Sequence, residues 1–336
     1  MSNLRFGVIG VGYFGKHYVR LLQSMPDVEL SAVATRSPET LKNLEAPLSS
    51  SVTLYGDGKE LLEKSDIDAV IIATPASTHA GLIGEALAKG KHVLVEKPMV
   101  ASKKEVAHLY EAVDKSGRTF MVGHQYVYHD YVRHLKAEID QGRLGNVKYC
   151  FAEHLYFGPI RYDIGCLWET VTHELAIIDY LFGAPEIMDV RGRVIVFSDS
   201  NREDGVACEL TFGNGLLVSL VTSWFAPKKV RRMTLGGDRG MAIFDDQEPE
   251  KKLQFFLEPY PQSVSGDQRT SLFLSMKPEH TVTPAIDACE PLRNELEHFI
   301  GCIQNKKTPL TDIEHGCRIT EHLDMISSAV GIRQNV

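Results

Sequence analysis

The residues best suited to chemistry lie in four places along the 336-residue chain. Gly10-Val11-Gly12-Tyr13-Phe14-Gly15 follows an apolar run and opens a helix-period segment. In that context a G-x-G-x-x-G turn binds a dinucleotide pyrophosphate. Gly10 makes the tight turn, Gly12 lets phosphate approach the backbone, and Gly15 lets helix and strand pack closely. Tyr13 and Phe14 fill the variable positions of the same loop, and the phosphates fall at the positive end of the helix. The alternative is a plain glycine-rich turn. Thr35-Arg36-Ser37 ends the next strand, where a carboxylate would bond both ribose hydroxyls of NAD. Two hydroxyls and a cation there suit a 2′-phosphate, so NADP(H) is expected, with NAD(H) as the alternative. Ser37 also reads as an N-cap ahead of Pro38. On the other reading Arg36 only stacks on adenine and Ser37 only caps.

Lys97, in Val93-Leu94-Val95-Glu96-Lys97-Pro98, ends a later strand. Open α/β sheets bind ligands beyond the carboxyl ends of their strands, and an ammonium there can hydrogen-bond a carbinol or carbonyl oxygen. A solvated lysine is the bland alternative. In 167–182, Leu167, Val171, Leu175, Ile178 and Phe182 form an apolar stripe, while Glu169 and His173 fall about 40° apart on the opposite face. That face is either solvated or a cleft wall, with His173 as proton donor or acceptor and Glu169 orienting it. Arg161, Tyr162 and Asp163 precede this helix and Trp168 opens it. Such groups suit a hydroxyl-rich ring, and Arg161 a diphosphate; otherwise Trp168 is core and Arg161 is solvated. No metal is expected: His124, His129 and His134 recur every five residues, off a common helical face, and position 177 is Ile, so His173-Glu174 does not begin H-E-x-x-H.

Alternating elements must position these groups. Strands are expected at 4–9, 28–34, 52–55, 69–73, 92–95 and 119–122, with helices at 13–25, 77–89 (cap Ser77) and 102–117 (cap Ser102). Strand–helix alternation means a parallel, doubly wound sheet, here a dinucleotide-binding Rossmann domain over 1–125. The pattern then changes to a helix at 131–141, a strand at 147–157, the helix at 167–182, and strands at 187–197, 205–212, 216–225, 230–235 and 240–244. Asn214-Gly215 marks a hairpin. A loop at 259–290 and helices at 291–304 and 312–329 follow. The expectation is a second, α+β domain over 126–336 with a mainly antiparallel open sheet, for substrate binding and oligomerisation.

Composition sets limits. Apolar residues are 43% and the net charge is −8, which argues against nucleic acid as partner. No apolar run nears the roughly 20 residues that span a bilayer, and no signal peptide is read. Six cysteines without a C-x-x-C pair read as small buried residues of a cytoplasmic protein.

With these residues in view, the chain resembles the Gfo/Idh/MocA oxidoreductases, the family of glucose–fructose oxidoreductase and inositol dehydrogenase. The resemblance rests on GVIGVGYFG (7–15), ATPASTHA (73–80), VLVEKPMV (93–100), GRLGNVKY (142–149), PLRNELEHFI (291–300) and KTPLTDIEHG (307–316). It implies catalysis by Lys97 and cofactor contacts from Thr74, Pro75, His79, Glu96 and Lys97. The family's D-x-G-x-H segment maps onto Glu169-Thr170-Val171-Thr172-His173, so His173 is the implied acid/base, while Glu replaces Asp and Val replaces Gly. A narrower likeness, over 122–136, 161–183 and 223–246, is to members acting on nucleotide-linked sugars. It implies a small-molecule sugar substrate contacted by His124, Arg161, Tyr162, Asp163 and Trp168, redox chemistry at C3, and a homodimer or homotetramer. Alternatives are a free-sugar, polyol or dihydrodiol dehydrogenase, a related enzyme on a tetrapyrrole, and a non-catalytic dinucleotide sensor.

Overall fold

Six short aliphatic runs form one parallel sheet: β1 (Leu4–Ile9), β2 (Val28–Ala34), β3 (Thr53–Tyr55), β4 (Ala69–Ile72), β5 (His92–Glu96) and β6 (Phe120–Gly123). The structure, a computed structural model, describes residues 3–158, 160–161, 163–198, 202–257 and 281–332. Strand order is β3-β2-β1-β4-β5-β6, every pairing parallel. The order reverses between β1 and β4, the switch point beyond which such sheets bind ligands. All of β4 and all of β5 after His92 are buried. Burial on both faces explains why these runs are continuously apolar rather than alternating.

The helices of this sheet are α1 (Gly15–Ser24), α2 (Gly58–Lys64), α3 (His79–Ala88) and α4 (Val106–Ser116). Tyr18, Leu21 and Leu22 of α1 are buried, as its period predicts. The sequence gives no sign of α2, because seven residues with two buried leucines are too short to display a period. Ser77 does not cap α3; it lies within a 3₁₀ turn, Ala76–Thr78, ahead of the helix. Ser102 does cap, accepting from Lys104 N–H, but it heads a 3₁₀ turn before α4.

The chain divides into two compact units, 1–128 with 289–324, and 129–288 with 325–336. The first division falls close to the expected 125/126. The C-terminal segment differs, since 289–324 was expected in the second domain and packs in the first unit. It carries α7 (Pro291–Asn305) and most of α8 (Ile313–Ala329). Phe299 of α7 meets Phe6 edge-on at 6.3 Å. Backbone N–H of Val122 donates to Thr311 O at 2.8 Å, and the Thr311 hydroxyl donates back to Val122 O at 2.6 Å. These contacts join residues 189 to 293 apart in sequence and leave no local pattern.

The second unit holds α5 (Asp130–Asp140), β7 (Val147–Phe157), α6 (Thr172–Phe182), β8 (Ile187–Ile195), β9 (Gly205–Phe212), β10 (Leu217–Ser223), β11 (Phe225–Gly237), β12 (Met241–Asp245), β13 (Leu253–Phe256) and β14 (Thr281–Val282). Their order is β14-β13-β12-β11-β7-β10-β9-β8. Only the β7–β10 pairing is parallel, so the sheet is mainly antiparallel. Asn214-Gly215 makes the β9–β10 hairpin, with Gly215 at φ 82°. β11 extends well beyond the expected run at 230–235 in both directions, and β13 and β14 were not foreseen. Of the expected loop at 259–290, residues 259–280 lie outside the described residues, and β14 lies within the remainder. No helix among the described residues is long and apolar enough to cross a membrane.

Candidate active site

The glycine turn between β1 and α1 has the geometry its spacing demands. Gly10 sits at φ 91°, and a Cβ there would lie 2.6 Å from Ala73 O. A Cβ on Gly15 would lie 1.9 Å from Gly10 O. Over Gly12 the space is open, with nothing within 4 Å of a Cβ. Phe14 stands at the N-cap without a side-chain cap bond, and the first turn of α1 carries no acid. No side chain caps the start of the helix, whose positive end lies beside open space, which fits a diphosphate. Tyr13 is 87% exposed, whereas Phe14 packs edge-on against Tyr18 at 5.9 Å.

At the end of β2, the Thr35 hydroxyl is drawn into the following turn. It lies 3.1 Å from the Thr40 hydroxyl and accepts from Ser37 N–H at 3.3 Å. Ser37 stands at the N-cap of a 3₁₀ turn, Pro38–Asn43, without a side-chain bond. Arg36 and Ser37 are exposed. The sites beyond β4 and β5 are linked through His79, whose ring nitrogens lie 3.0 Å from Pro98 O and 2.9 Å from Thr74 O. His79 is 1% exposed, so it holds Thr74 and Pro98 together from below rather than reaching outward. Pro75 caps the 3₁₀ turn that follows Thr74. The Lys97–Pro98 peptide is cis. Just before it, Glu96 accepts the Lys97 backbone N–H through Oε2 at 3.2 Å and the Tyr18 hydroxyl through Oε1 at 2.7 Å. His124, beyond β6, is buried with its ring 5.0 Å from that of His315.

In the second unit, the segment 167–182 does not keep one uniform helical period. Leu167–Val171 is a π-helical turn that runs into α6. Its wider winding changes the angle between residues before and after it. His173 is 5% exposed and Glu174 3%, so neither lies on a solvated face. Glu169 is half-buried and accepts the Tyr156 hydroxyl through Oε2 at 2.8 Å. Burial and the Glu169 charge raise the Tyr156 phenol well above its ordinary range, so it stays a donor. The His173 ring lies 5.9 Å from His154 and nearly parallel to it, at 21°. His154 sits between the Arg231 guanidinium, at 2.7 Å from Nε2, and Glu174 Oε1, at 2.8 Å from Nδ1. Because arginine only donates, Nε2 accepts and Nδ1–H donates to Glu174, which fixes the tautomer.

The start of the helix is pinned as well. Glu203 Oε1 accepts the Leu167 backbone N–H at 3.1 Å, and burial raises its carboxyl above the usual range. Arg161 forks onto Asp163 at 2.9 and 2.6 Å. Trp168 is 4% exposed and donates its indole N–H to Ser327 at 3.0 Å, a core placement. Tyr162 lies outside the described residues. Sequence reading missed Tyr156, His154 and Glu203. The first two alternate with buried Cys150 and Ala152 on one face of β7, and polar residues at buried positions of a strand were the available signal. No group of metal-ligating side chains occurs among the described residues.

Comparison with known proteins agrees with this architecture. Residues 4–124 match the oxidoreductase family with NAD-binding Rossmann fold, and residues 132–243 match the GFO/IDH/MocA C-terminal domain. The chain is 26% identical to the oxidoreductase YrbE of Bacillus subtilis, over 78% of this chain and 83% of that one. It is 29% identical to a UDP-N-acetylglucosamine 3-dehydrogenase of Acidithiobacillus ferrooxidans, over 70% of this chain and 72% of the relative. Other alignments are partial, and the chain spans 60% of an oxidoreductase of Streptococcus pneumoniae. The solved structure of the Acidithiobacillus dehydrogenase superposes with a TM-score of 0.80 at 23% identity, over 99% of this chain and 100% of that one, a likeness of fold. The chain belongs to the Gfo/Idh/MocA oxidoreductase family.

Proposed function

We propose that this oxidoreductase moves a hydride between NADP(H) and a ring carbon, C3, of a nucleotide-linked sugar. The observation that carries the reading is the carboxyl edge of the parallel sheet. There the turn with open space over Gly12 and the Glu96-Lys97-Pro98 segment end strands of the same sheet. The dinucleotide, when bound, supplies or accepts the hydride. Gly10, Gly12 and Gly15 shape the turn that receives its diphosphate, with Tyr13 and Phe14 flanking it. Thr35, Arg36 and Ser37 receive the adenosine end, and Thr74, Pro75, His79 and Glu96 shape the strand ends.

Lys97 and His173 are the proposed acid/base residues for the proton of the reacting hydroxyl. Glu169, held by Tyr156, sets the local charge near His173. Arg161, Asp163, Tyr162, Trp168 and His124 are the proposed substrate set, with buried Trp168 and His124 shaping walls. The sugar nucleotide is supported by the 29%-identical Acidithiobacillus relative, itself a UDP-N-acetylglucosamine 3-dehydrogenase. A free sugar or polyol is the second reading, favoured by the Arg161–Asp163 fork, because that guanidinium already holds a carboxylate.

Assaying the purified chain with free and nucleotide-linked sugars and both cofactors, at the nicotinamide absorbance band, separates these. The proposal expects turnover of a nucleotide sugar and a raised KM, at similar kcat, in Arg161→Ala. Equal efficiency on free monosaccharides, or an unchanged KM, replaces it with the second reading.

A further inference from the structure

Tyr18, Glu96 and Glu295 meet in the interior of the first unit, supplied by α1, β5 and α7. Tyr18 and Glu295 are 0% exposed and Glu96 is 7% exposed. The Tyr18 oxygen lies 2.7 Å from Glu96 Oε1 and 2.8 Å from Glu295 Oε1. A phenol has one proton, so it can donate to only one of the two. The other carboxyl must donate to the phenol oxygen, and only a protonated carboxyl can. A second negative charge in so dry a place is also costly.

The surroundings say which carboxyl holds the proton. Glu96 Oε2 receives the Lys97 backbone N–H, a bond that favours a carboxylate. Glu295 Oε2 is buried and has no hydrogen-bond partner among the described residues. An orphaned carbonyl oxygen of a neutral acid is far less costly than an orphaned carboxylate oxygen. A Cβ on Gly123 of β6 would lie 3.3 Å from both Glu96 Oε1 and the Tyr18 hydroxyl, so the glycine leaves room for the group.

We propose that Glu295 is a neutral carboxylic acid whose proton bonds Tyr18, so that Tyr18 donates to Glu96 and the negative charge rests on Glu96 beside Lys97, making Glu295 a positioning residue for the lysine. The hydrogen bonds then run one way: Glu295 O–H to Tyr18 oxygen, Tyr18 O–H to Glu96, and Lys97 N–H to the far oxygen of Glu96. Burial, then the Glu96 charge, raises the Glu295 carboxyl well above its ordinary range against the opposing Tyr18 bond. Burial, then Glu295 and Glu96, raises the Tyr18 phenol too, so it keeps its proton. The groups facing Glu295 are Tyr18 from α1, Glu96 from β5 and Tyr128 from the 125–128 turn, whose hydroxyl lies 2.8 Å from that of Thr311.

The protonation claim stands without any assumption about the reaction; the positioning claim rests on the acid/base reading of Lys97. Folded Glu295 keeps its proton at pH values where an unfolded glutamate, near about 4.3, has lost it. Its contribution to stability is therefore complete at low pH and is lost as pH rises toward the raised folded value. Glu295→Gln cannot titrate.

The test is the melting temperature of wild type, Glu295→Gln and Glu96→Gln between pH 5 and 8. The variant-minus-wild-type difference for Glu295→Gln should rise by about 3 °C or more over that range, and that for Glu96→Gln should not. A flat difference for Glu295→Gln, or a rise in Glu96→Gln instead, overturns the assignment. Glu295→Met, of similar volume and also non-titrating, gives the same reading if the glutamine variant does not fold. Turnover separates the two claims: Glu295→Met should lower kcat about tenfold or more with KM little changed, and Glu295→Gln should restore most of it. A pH effect on stability without this kcat pattern would keep the neutral acid and reject the positioning role.

Discussion

At the level of single residues, the two side chains proposed to handle the proton have different settings. Lys97 follows a carboxylate that Tyr18 holds in place. His173 is buried on α6, its ring parallel to a His154 whose tautomer Arg231 and Glu174 fix. Each of Lys97→Ala and His173→Ala should lower kcat by about 10²–10⁴ and leave the cofactor dissociation constant within a few-fold. A variant with near-full turnover removes that residue from the mechanism. The places of Lys97 after β5 and of the glycines in the β1–α1 turn were legible in the sequence, because each is set locally, by a strand end or a strand-to-helix turn. Tyr156 and His154 were not, because what matters about them is the partner, Glu169 or Glu174, which lies 13 or 20 residues away on another element.

Among the elements, the proposed function gives cofactor choice to the β2 end and proton handling to the helix 167–182. At β2 the exposed Arg36 and the absence of a carboxylate at Thr35 suit a 2′-phosphate. Titration should show tighter binding of NADP(H) than NAD(H), and Thr35→Asp should reverse the preference by at least tenfold, since a carboxylate repels phosphate and bonds ribose hydroxyls. Tighter NAD(H) binding by the wild type would refute this. The six strands of the parallel sheet were readable because each is a short β-prone run, wholly buried in β4 and β6, between glycines and polar turns. The helical wheel over 167–182 left Glu169 and His173 on a face either solvated or lining a cleft; burial of His173 excludes the first, and a π turn breaks the uniform 100° step on which any wheel depends. Nothing in Leu167-Trp168-Glu169-Thr170-Val171 marks that turn. Its anchors, the Glu203 carboxyl and Thr222 paired with Thr170 at 2.6 Å, lie 36 and 52 residues downstream.

For the molecule as a whole, the unread feature was the return of 289–324 to the first unit, fixed by contacts such as Phe299 on Phe6. The second unit leaves an apolar sheet face uncovered, with Phe151 48%, Phe157 78%, Met188 64% and Leu217 39% exposed. An exposed face of this kind suits a second copy of the chain, and light scattering at micromolar concentration should report a dimer or tetramer; a monomer would count against that. The central claim, hydride transfer between nicotinamide and C3 of a nucleotide-linked sugar, is tested most directly in the oxidising direction with a substrate deuterated at that carbon. Mass spectrometry of the cofactor after turnover should find one deuterium on the reduced nicotinamide, and Lys97→Ala should nearly abolish its appearance. Turnover that leaves the nicotinamide unlabelled would contradict the assignment.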